Sequence, residues 1–426
     1  MKVVGNSQYQ KIANGLLILN LLRRKACSRI EIAQVLGLQP STVTYSVNRL
    51  LENGTVKELA GSDSAGGGNA NGVNDGICSV ADGNASYTAN GNGKGGNNGC
   101  GAGRKRNLLG VNEDFGRAVG IELMSGFYRI SICNIAGGIV YQAALSYRNT
   151  SKNGDPVRMF EGLVREVVEQ AKELCGKLPV LGVCVAVPGI VLSGNTCIEE
   201  CWTHGLKHTD FSDFLSKFEF PVFFENDANC CAEKYLWIEG YEKDSFMYLL
   251  GRKHAPMVVP EGIPTIGLGL GLVMDGKLYR GSASRSGEYR ASTLMGSDAV
   301  GQVGLSAREL LNLDADPSLI RRLIVEVFSD IFCSISIFDP RVLFIGGFFA
   351  TSPFRETVFD VLENELHDRW VRFDWKGGVV LVQDAQFDPS EGAADTLLDW
   401  LYQVPQVGEA EIDSRRLNGL LANIAE

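Results

Sequence analysis

Residues 28–54, SRIEIAQVLGLQPSTVTYSVNRLLENG, contain two short helical patterns separated by a tight turn. Ser28 and Glu31 have the spacing of a capping box, in which the hydroxyl and the carboxylate each accept a hydrogen bond from a free backbone amide at a helix start. The first pattern stops at Gly37, and the second begins at Pro40 and closes at Asn53-Gly54. Because a longer apolar helical pattern precedes both, the segment predicts a helix-turn-helix.

The second of these helices has a polar face opposite its apolar residues. That face carries Thr42, Tyr45 and Arg49, with Ser41, Thr44 and Asn48 beside it. Hydroxyl and amide groups together with a guanidinium are suited to base edges and phosphates in a DNA major groove. The alternative is an ordinary solvated face on a three-helix bundle.

A two-stranded pattern follows the helices and is interrupted by a low-complexity segment. Residues 55–60 and 107–113 have strand character, and 22 of the 43 residues from Gly61 to Gly103 are glycine or asparagine. Such a composition cannot build a packed core, so we expect a flexible insertion. If the strands pair, they form a wing with Arg104-Lys105-Arg106 at its root. This triplet is either a minor-groove or phosphate contact or the basic flank of a linker.

The composition is that of a globular chain with an uneven charge distribution. Of 426 residues, 45% are hydrophobic and 21% are charged, which permits large cores in two or three domains. The formal net charge is −10, yet residues 1–60 hold eight Lys/Arg and three Asp/Glu, as expected where one small domain meets nucleic acid. The eleven cysteines lack paired CxxC spacing, which argues against a disulfide scaffold. No apolar signal segment follows Met1 and no apolar run could span a membrane, so we expect a cytoplasmic protein without a membrane partner.

From Val119 onward, strand and helix patterns alternate, which predicts an α/β fold with two comparable halves. The first predicted elements are a strand over Val119–Asn134, a strand over Ile139–Ser146, a helix over Met159–Leu174 and a strand over Val180–Val187. We therefore predict two domains. Residues 1–117 form a winged helix-turn-helix that contains a disordered insertion at about 61–103, and residues 118–426 form a two-lobed α/β domain.

Short motifs occur in a fixed order along the α/β region. They are Val187-Pro188-Gly189, Glu225-Asn226-Asp227-Ala228-Asn229, Gly267-Leu268-Gly269-Leu270-Gly271, Asp275 to Gly281 (DGKLYRG), Gly287-Glu288, Asp339-Pro340 and Ile345-Gly346-Gly347. Together with the helix-turn-helix, they resemble the ROK family (repressors, open reading frames and kinases). The resemblance covers nearly the whole chain apart from the insertion. It implies a two-lobed, actin-like ATPase fold of the sugar-kinase type with a sugar site between the lobes, in either a kinase or a sugar-responsive repressor that carries a DNA-binding head.

The resemblance implies a sugar site at Asn226, Asp227 and Glu288. In the kinases of the family, the aspartate that corresponds to Asp227 takes the proton from the sugar hydroxyl that attacks ATP. A carboxylate is able either to accept that proton or to hold hydroxyls by charge-assisted hydrogen bonds, so Asp227 indicates a polyol site more than it indicates catalysis. The alternative is an Asx turn that caps the helix from Ala228.

The phosphate-binding turns differ from the kinase pattern. Phosphoryl transfer depends on Gly-rich turns whose amides and hydroxyl or carboxylate groups hold the phosphates and Mg²⁺. The first turn of the family resembles DxGGT, whereas residues 120–128 read GIELMSGFY, and Leu268 replaces the hydroxyl residue of the second turn. We therefore expect a chain that is not an enzyme and takes no ATP cofactor. Gly346-Gly347 resembles the adenosine turn, although a glycine pair also permits close packing.

Gly287-Glu288 is followed by Tyr289-Arg290 rather than by the histidine and cysteines that hold a structural zinc in many family members. We expect no zinc site here. Arg290 lies near where the family's sugar-contacting and zinc-ligating histidines would fall, and a guanidinium binds phosphate or carboxylate as a fork. This motivates the hypothesis of an anionic sugar as effector; the alternative is that Arg290 pairs with Glu288 or Glu225.

These features favour a sugar-responsive regulator, expected to repress carbohydrate-metabolism genes, with operator DNA and a sugar or sugar derivative as partners. A homodimer or homotetramer would present two recognition helices to two DNA half-sites. Two alternatives stay open. One is a bifunctional ATP-dependent sugar kinase with a DNA-binding head. The other is an architectural DNA-binding protein whose C-terminal domain only dimerises, which leaves Asn226, Asp227 and Glu288 without a role.

Overall fold

The computed structural model describes residues 6–59, 107–147, 154–238, 240–241, 243–254, 264–294, 301–368, 374–405 and 420–421. The predicted Gly/Asn-rich insertion and the triplet Arg104-Lys105-Arg106 lie outside these ranges. The described residues form a helical head followed by two lobes, each built on a five-stranded sheet.

Three helices and a two-stranded ribbon form the head. They are α1 (Asn6–Arg24), α2 (Arg29–Leu36), α3 (Pro40–Asn53), β1 (Val56–Leu59) and β2 (Leu108–Val111). Helix α2 starts in the predicted capping box, in which Ser28 Oγ accepts from the Glu31 amide and Glu31 Oε2 accepts from the Ser28 amide at 2.7 Å. Gly37 and Gly54 follow α2 and α3 in the left-handed region, with φ of 65° and 81°.

The two strands of the head pair antiparallel, with Val56 opposite Val111 and Leu59 opposite Leu108. The predicted wing is therefore confirmed. The buried residues of the head belong to one apolar cluster with residues of the helix Asp388–Tyr402, including Leu401. The head thus packs directly on the first lobe.

The first lobe is built on a mixed five-stranded sheet in which one strand has a parallel partner on each side. Its strands are β3 (Arg117–Met124), β4 (Phe127–Cys133), β5 (Ile139–Ser146), β6 (Val180–Val187) and β10 (Val222–Asn226). Their order is β10-β6-β3-β4-β5, and β6 runs parallel to both β3 and β10. Helix α4 (Pro156–Leu174) packs its apolar side against this sheet. A smaller antiparallel sheet comprises β7 (Ile190–Val191), β8 (Cys197–Cys201) and β9 (Leu206–Asp210), and the short helix α5 (Ser212–Leu215) follows it.

The second lobe is likewise built on one mixed five-stranded sheet. Its strands are β11 (Phe246–His254), β12 (Thr265–Met274), β13 (Lys277–Leu278), β14 (Val342–Gly347) and β15 (Gly378–Leu381), in the order β13-β12-β11-β14-β15. Its helices include α7 (Ala307–Asn312), α8 (Pro317–Phe338) and α9 (Phe354–Asp360). The core between sheet and helices contains Phe328 and Phe349, whose ring centroids are 5.9 Å apart.

Two further helices, α6 (Asp227–Leu236) and α10 (Asp388–Tyr402), lie against each other between the lobes. Their backbones approach so closely that a Cβ on Gly392 of α10 would lie 1.7 Å from the carbonyl oxygen of Cys230. Glycine is therefore required at that contact. Helix α10 also contacts α1, so this helix pair connects the lobes to the head.

The structure corrects one predicted strand. The predicted strand over residues 119–134 is two strands, β3, which ends at Met124, and β4, which runs from Phe127 to Cys133. A turn at Ser125-Gly126 joins them. Gly126 has φ 91°, and Met124 stands opposite Phe127 across the hairpin. The prediction of a single strand was wrong because a two-residue turn leaves the apolar alternation almost unbroken.

Candidate functional site

Helix α3 turns the six side chains predicted to contact DNA away from the core of the head. Its buried residues are Val43, Ser46, Val47 and Leu50. On the opposite side, the exposed residues are Ser41, Thr44, Tyr45 and Asn48, and the half-buried ones are Thr42 and Arg49. An exposed helix face of this composition fits a major groove.

Cationic side chains border this face. Lys11 Nζ lies 6.0 Å and the Arg49 guanidinium 5.6 Å from the ring centroid of Tyr45. Arg29 Nη2 donates to Asn48 Oδ1 at 3.1 Å, which leaves the Asn48 amide group as a donor. The face therefore combines hydrogen-bond donors with positive charge.

A cavity of about 330 Å³ lies between the two lobes. The four side chains predicted to contact a ligand, Asn226, Asp227, Glu288 and Arg290, all line it. Asn226 and Asp227 come from the end of β10 and the start of α6 in the first lobe, and Glu288 and Arg290 follow β13 in the second lobe. We call this space the effector cavity.

Asn226 caps helix α6, and Asp227 is the first residue of that helix. The Asn226 side chain accepts from the Asn229 amide at 2.9 Å and donates to the carbonyl oxygen of Gly189 at 3.0 Å. Asn226 thus makes the side-chain cap of α6, while Asp227 Oδ1 accepts from the Ala228 amide at 3.0 Å, so the alternative of a capping role for Asp227 stays a prediction. Burial raises the pKa of Asp227 to about 6 against the opposing Arg252 guanidinium, and the Glu122 carboxylate adds to the rise.

Arg252 of β11 is the central cation of the effector cavity. Its Nη2 donates to Glu122, and its Nε lies 3.7 Å from Asp227 Oδ2. Glu122 is fully buried and also accepts from Arg129 Nη1 at 2.7 Å. Asp227, which the resemblance associates with catalysis, therefore faces the Arg252 guanidinium. The buried Glu122 carboxylate holds that guanidinium in place.

Glu288 and Arg290 occupy the second-lobe side of the effector cavity. Glu288 is exposed to the cavity; desolvation by the surrounding protein, together with the carboxylates of Asp227 and Glu200, raises the pKa of Glu288 to about 7 against the opposing Arg285 and Arg290 guanidinium groups. Of the two partners considered for Arg290, Glu225 is engaged elsewhere, because it accepts from Arg280 Nε at 2.9 Å and Nη2 at 2.6 Å.

Several lining residues were missed by sequence reasoning. Trp202 and His254 meet edge to face with their ring centroids 6.2 Å apart. Burial and the nearby Arg252 lower the pKa of His254 to about 4, which keeps its ring neutral near pH 7. Arg252 Nε and Thr265 Oγ1 are buried and have no hydrogen-bond partner among the residues that the structure describes. No local sequence motif marks these positions.

The glycine stretch Gly267 to Gly271, which the resemblance compares with the second phosphate-binding turn of the kinases, lies within strand β12. It pairs with β11, with Leu268 opposite Gly251. A Cβ on Gly269 would lie 2.8 Å from Ala228 Cβ, and one on Gly271 would lie 2.4 Å from Ala228 O. The alternate glycines therefore let α6 approach the sheet, since alternate residues of a strand share one face.

Packing contacts also fill the other two segments compared with kinase turns, residues 120–128 and Gly346-Gly347. At the β3–β4 turn, Met124 is buried and the Arg129 guanidinium lies 4.6 Å from the Phe127 ring centroid. A Cβ on Gly346 would lie 2.1 Å from Tyr248 Oη, which supports the close-packing interpretation of Gly346-Gly347. Phe348 follows that pair and is buried.

Cysteines in the described ranges are free thiols, most of them buried. Within those ranges, no group of three or more His, Cys, Asp or Glu side chains could hold a metal ion. The absence of zinc stays a prediction. In the same part of the chain, no helix is long and apolar enough to cross a membrane.

These features define a class of protein, a winged helix-turn-helix joined to a two-lobed, actin-like α/β fold with a cavity between the lobes. Residues 130–290 match the model of the ROK family, and residues 13–57 match that of winged helix-turn-helix DNA-binding domains. The chain is therefore similar to the ROK family over much of its α/β region and to winged helix-turn-helix DNA-binding domains over its head.

Among known proteins, the chain is similar to xylose repressors. It is 25% identical to that of Caldicellulosiruptor bescii over 71% of this chain and 63% of the repressor. It is 23% identical to that of Bacillus subtilis over 69% of this chain and 63% of the repressor. The matched regions thus span less than two thirds of either repressor. The fold also matches the crystal structure of a ROK family transcriptional regulator, a homologue of the E. coli MLC protein, with a TM-score of 0.63 and 15% identity over 98% of this chain and 99% of that chain.

Proposed function

We propose that this protein is a sugar-responsive, DNA-binding transcriptional repressor of carbohydrate-metabolism genes. The observation that carries the proposal is the presence of two sites in one chain, the exposed face of α3 and the effector cavity. The similarity to xylose repressors supports the same function. An architectural protein that only dimerises through its lobes would have no use for the polar groups of the cavity.

We propose that a sugar occupies the effector cavity. Its volume of about 330 Å³ lies within the range of small-molecule sites. The carboxyl groups of Asp227 and Glu288 are suited to sugar hydroxyls, and Trp202 supplies an aromatic wall. A buried polar atom without a partner costs about 1–3 kcal/mol, so sugar hydroxyls at Arg252 Nε and Thr265 Oγ1 would remove two such penalties. The names of the relatives make D-xylose the first effector to test.

A second effector class is favoured by Arg290, which lines the cavity and is exposed. Arg252 and Arg285 line the same space, so an anionic sugar such as a sugar phosphate or a uronic acid would find several guanidinium groups. Calorimetric titration with a neutral sugar and its phosphate, before and after Arg290→Ala, decides between the classes. Equal binding of the two forms in both proteins excludes a role for Arg290 in selecting an anion.

We propose that the two-lobed α/β domain senses its ligand without phosphorylating it. A kinase needs a free base beside the attacking hydroxyl and open turns for the phosphates. Here the Arg252 guanidinium stands beside Asp227, and side chains fill the β3–β4 turn. A coupled assay for ADP release, with sugar and ATP-Mg²⁺, is expected to give no turnover. Sugar-dependent turnover would favour the bifunctional kinase.

We further propose a homodimer, or a tetramer of dimers, that presents two α3 helices to DNA half-sites about one or more turns apart. Sugar binding would change the closure of the lobes and thereby the spacing of the heads, which couples the two sites. Sedimentation and a footprint on a two-half-site operator test the assembly. A monomer that protects a single half-site would contradict it.

The decisive experiment is a mobility shift and footprint of the purified protein on its own upstream DNA at stated salt, with sugars, sugar phosphates and ATP. We expect a specific complex whose affinity changes with one sugar and not with ATP. Asp227→Asn should bind DNA without responding to that sugar, and Asp213→Asn, exposed on α5 away from the cavity, is the matched control. A protein that forms no specific complex under any condition would refute the proposal.

A further inference from the structure

A second cavity, of about 610 Å³, lies where the head and both lobes meet. Arg24 of α1, Glu233 of α6, Trp237 just after α6, Arg280 after β13, and Asp399 and Trp400 of α10 are among the residues that line it. Among described residues, it shares no lining side chain with the effector cavity. We call it the junction cavity.

Glu233 is a buried carboxyl group that lines the junction cavity. It is only 6% exposed and makes no hydrogen bond or ion pair in the described part of the chain. The Arg280 guanidinium acts on it electrostatically, but that guanidinium is bound to Glu225 through two of its nitrogens. Buried carboxyl groups in proteins are normally paired. An unpaired one that lines a cavity points to a ligand that supplies the partner.

The charges around Glu233 favour a cation. Burial and the carboxylate of Asp399 raise the pKa of Glu233 to about 8, Arg280 opposes this, and Asp395 and Glu225 add to it. Asp395 is itself paired with a guanidinium of α1 at 3.7 Å. The remaining cations of the lining, Arg24 and Lys277, are exposed. A positive ligand beside Glu233 would therefore offset both the burial and the repulsion between carboxylates.

Two indole rings form apolar walls of the same cavity. The guanidinium groups of Arg23 and Arg24 lie 3.8 Å and 5.6 Å from the ring centroid of Trp237, so this ring already attracts cations. The Trp400 ring packs on Phe223, with centroids 5.7 Å apart. A carboxyl group and two indole rings that line one cavity offer the groups that recognise alkylammonium ions.

We propose that the junction cavity binds a small organic cation, an amine whose ammonium group lies against Glu233 and whose apolar part lies against Trp237 and Trp400. Because the cavity reaches the head through Arg24, the bound amine would also hold α1 against α6 and α10 and change the affinity for operator DNA. This effect on DNA rests on the proposed function, whereas the binding does not.

The binding is tested by calorimetry on the full-length protein with three probes that share one ring: cyclohexylamine, cyclohexanol and cyclohexanecarboxylate. We expect cyclohexylamine to bind one site with a Kd on the order of 1 mM, as befits a ligand of about seven heavy atoms, and the other two to bind at least about 10-fold more weakly. Equal binding of the alcohol, tighter binding of the carboxylate, or no binding of any probe would overturn the proposal.

Three variants locate the amine. Glu233→Gln keeps the shape of the side chain and should weaken amine binding about 10-fold or more, while the circular dichroism spectrum stays unchanged and the melting temperature does not fall. Glu169→Gln, exposed on α4, is the control and should bind normally. If binding is instead lost in Asp227→Asn and retained in Glu233→Gln, the amine lies in the effector cavity and the proposal is wrong.

The effect on DNA is tested by mobility shift with cyclohexylamine and no sugar. We expect a change in operator affinity that disappears in Glu233→Gln. If calorimetry detects binding of cyclohexylamine but the mobility shift of operator DNA does not change, the link to DNA is refuted and the amine site stands. Failure of the protein to bind DNA at all would refute the proposed function and leave the calorimetric result unaffected.

Discussion

Asp227→Asn is expected to stabilise the ligand-free protein at neutral pH while it removes the response to sugar. Asp227 is 6% exposed, and its pKa rises from the ordinary 3.8 to about 6 in the folded chain. The folded state holds this proton more tightly than the unfolded chain does. Ionisation of Asp227 therefore destabilises the fold, with no penalty below pH 3.8 and the full penalty above about pH 6.

The size of the effect follows from the two pKa values. A rise from 3.8 to about 6 corresponds to about 3 kcal/mol at 1.36 kcal/mol per pKa unit. Asparagine resembles the protonated carboxyl group, so it avoids the penalty, but it places an amide near the Arg252 guanidinium. We therefore expect Asp227→Asn to raise the free energy of unfolding by about 1–3 kcal/mol at pH 7.5 and by close to nothing near pH 4.

Urea unfolding of both proteins at several pH values measures this difference, with Asp213→Asn as the exposed control. Sugar at a hundred times its Kd should add about 2.7 kcal/mol to the wild type and nothing to Asp227→Asn. A variant that is less stable than the wild type at pH 7.5 would refute the reasoning and show that Asp227 is a structural residue. A gain that does not change with pH would refute its electrostatic origin.

The remaining predictions concern DNA, packing and coupling. Tyr45→Ala or Arg49→Ala should weaken operator binding by about 1–3 kcal/mol in an anisotropy titration without a change in melting temperature; normal affinity would mean that this face of α3 is only solvated. Gly271→Ala should lower the free energy of unfolding by about 1–3 kcal/mol because its Cβ would meet a carbonyl oxygen of α6 at 2.4 Å. Gly162→Ala, with open space around it on α4, should instead raise stability by up to about 1 kcal/mol. Arg23→Gln should keep both sugar and DNA binding but reduce the effect of sugar on DNA affinity, and a full response in that variant would contradict a route through Arg23.

The head could be predicted from the sequence because its signals are local. Helix α2 starts at the capping box of Ser28 and Glu31, and glycines end α2 and α3. Each of these signals depends only on residues a few positions away, so spacing alone locates the helices. The β3–β4 hairpin was missed because its turn spans only Ser125-Gly126. Alternation specifies which face of a strand is buried but does not show where the chain reverses.

The effector cavity could be predicted only in part. Motif residues at the ends of elements, such as Asp227 and Glu288, line it as expected, and whether they bind a ligand stays a prediction. Arg252 is separated from its partner Glu122 by 130 residues, and no pattern near either residue announces the pair. The same holds for Trp202. Such side chains meet only because the two lobes face each other, and that arrangement is a property of the folded chain.

Helix α6 links the effector cavity to the head. It begins at Asp227 in the effector cavity, its 10 residues span about 15 Å, and the Trp237 ring that follows it stacks on Arg23 of α1. Arg23 also donates to the carbonyl oxygen of Ala136 in the first lobe, and its guanidinium lies 5.1 Å from the Tyr402 ring at the end of α10. Because α6 packs on the backbones of both α10 and β12 without room for a Cβ, it cannot shift independently of them. We therefore predict that a ligand that rearranges Asp227 and α6 moves Trp237 relative to α1, which would give the effector a physical route to the DNA-binding helix.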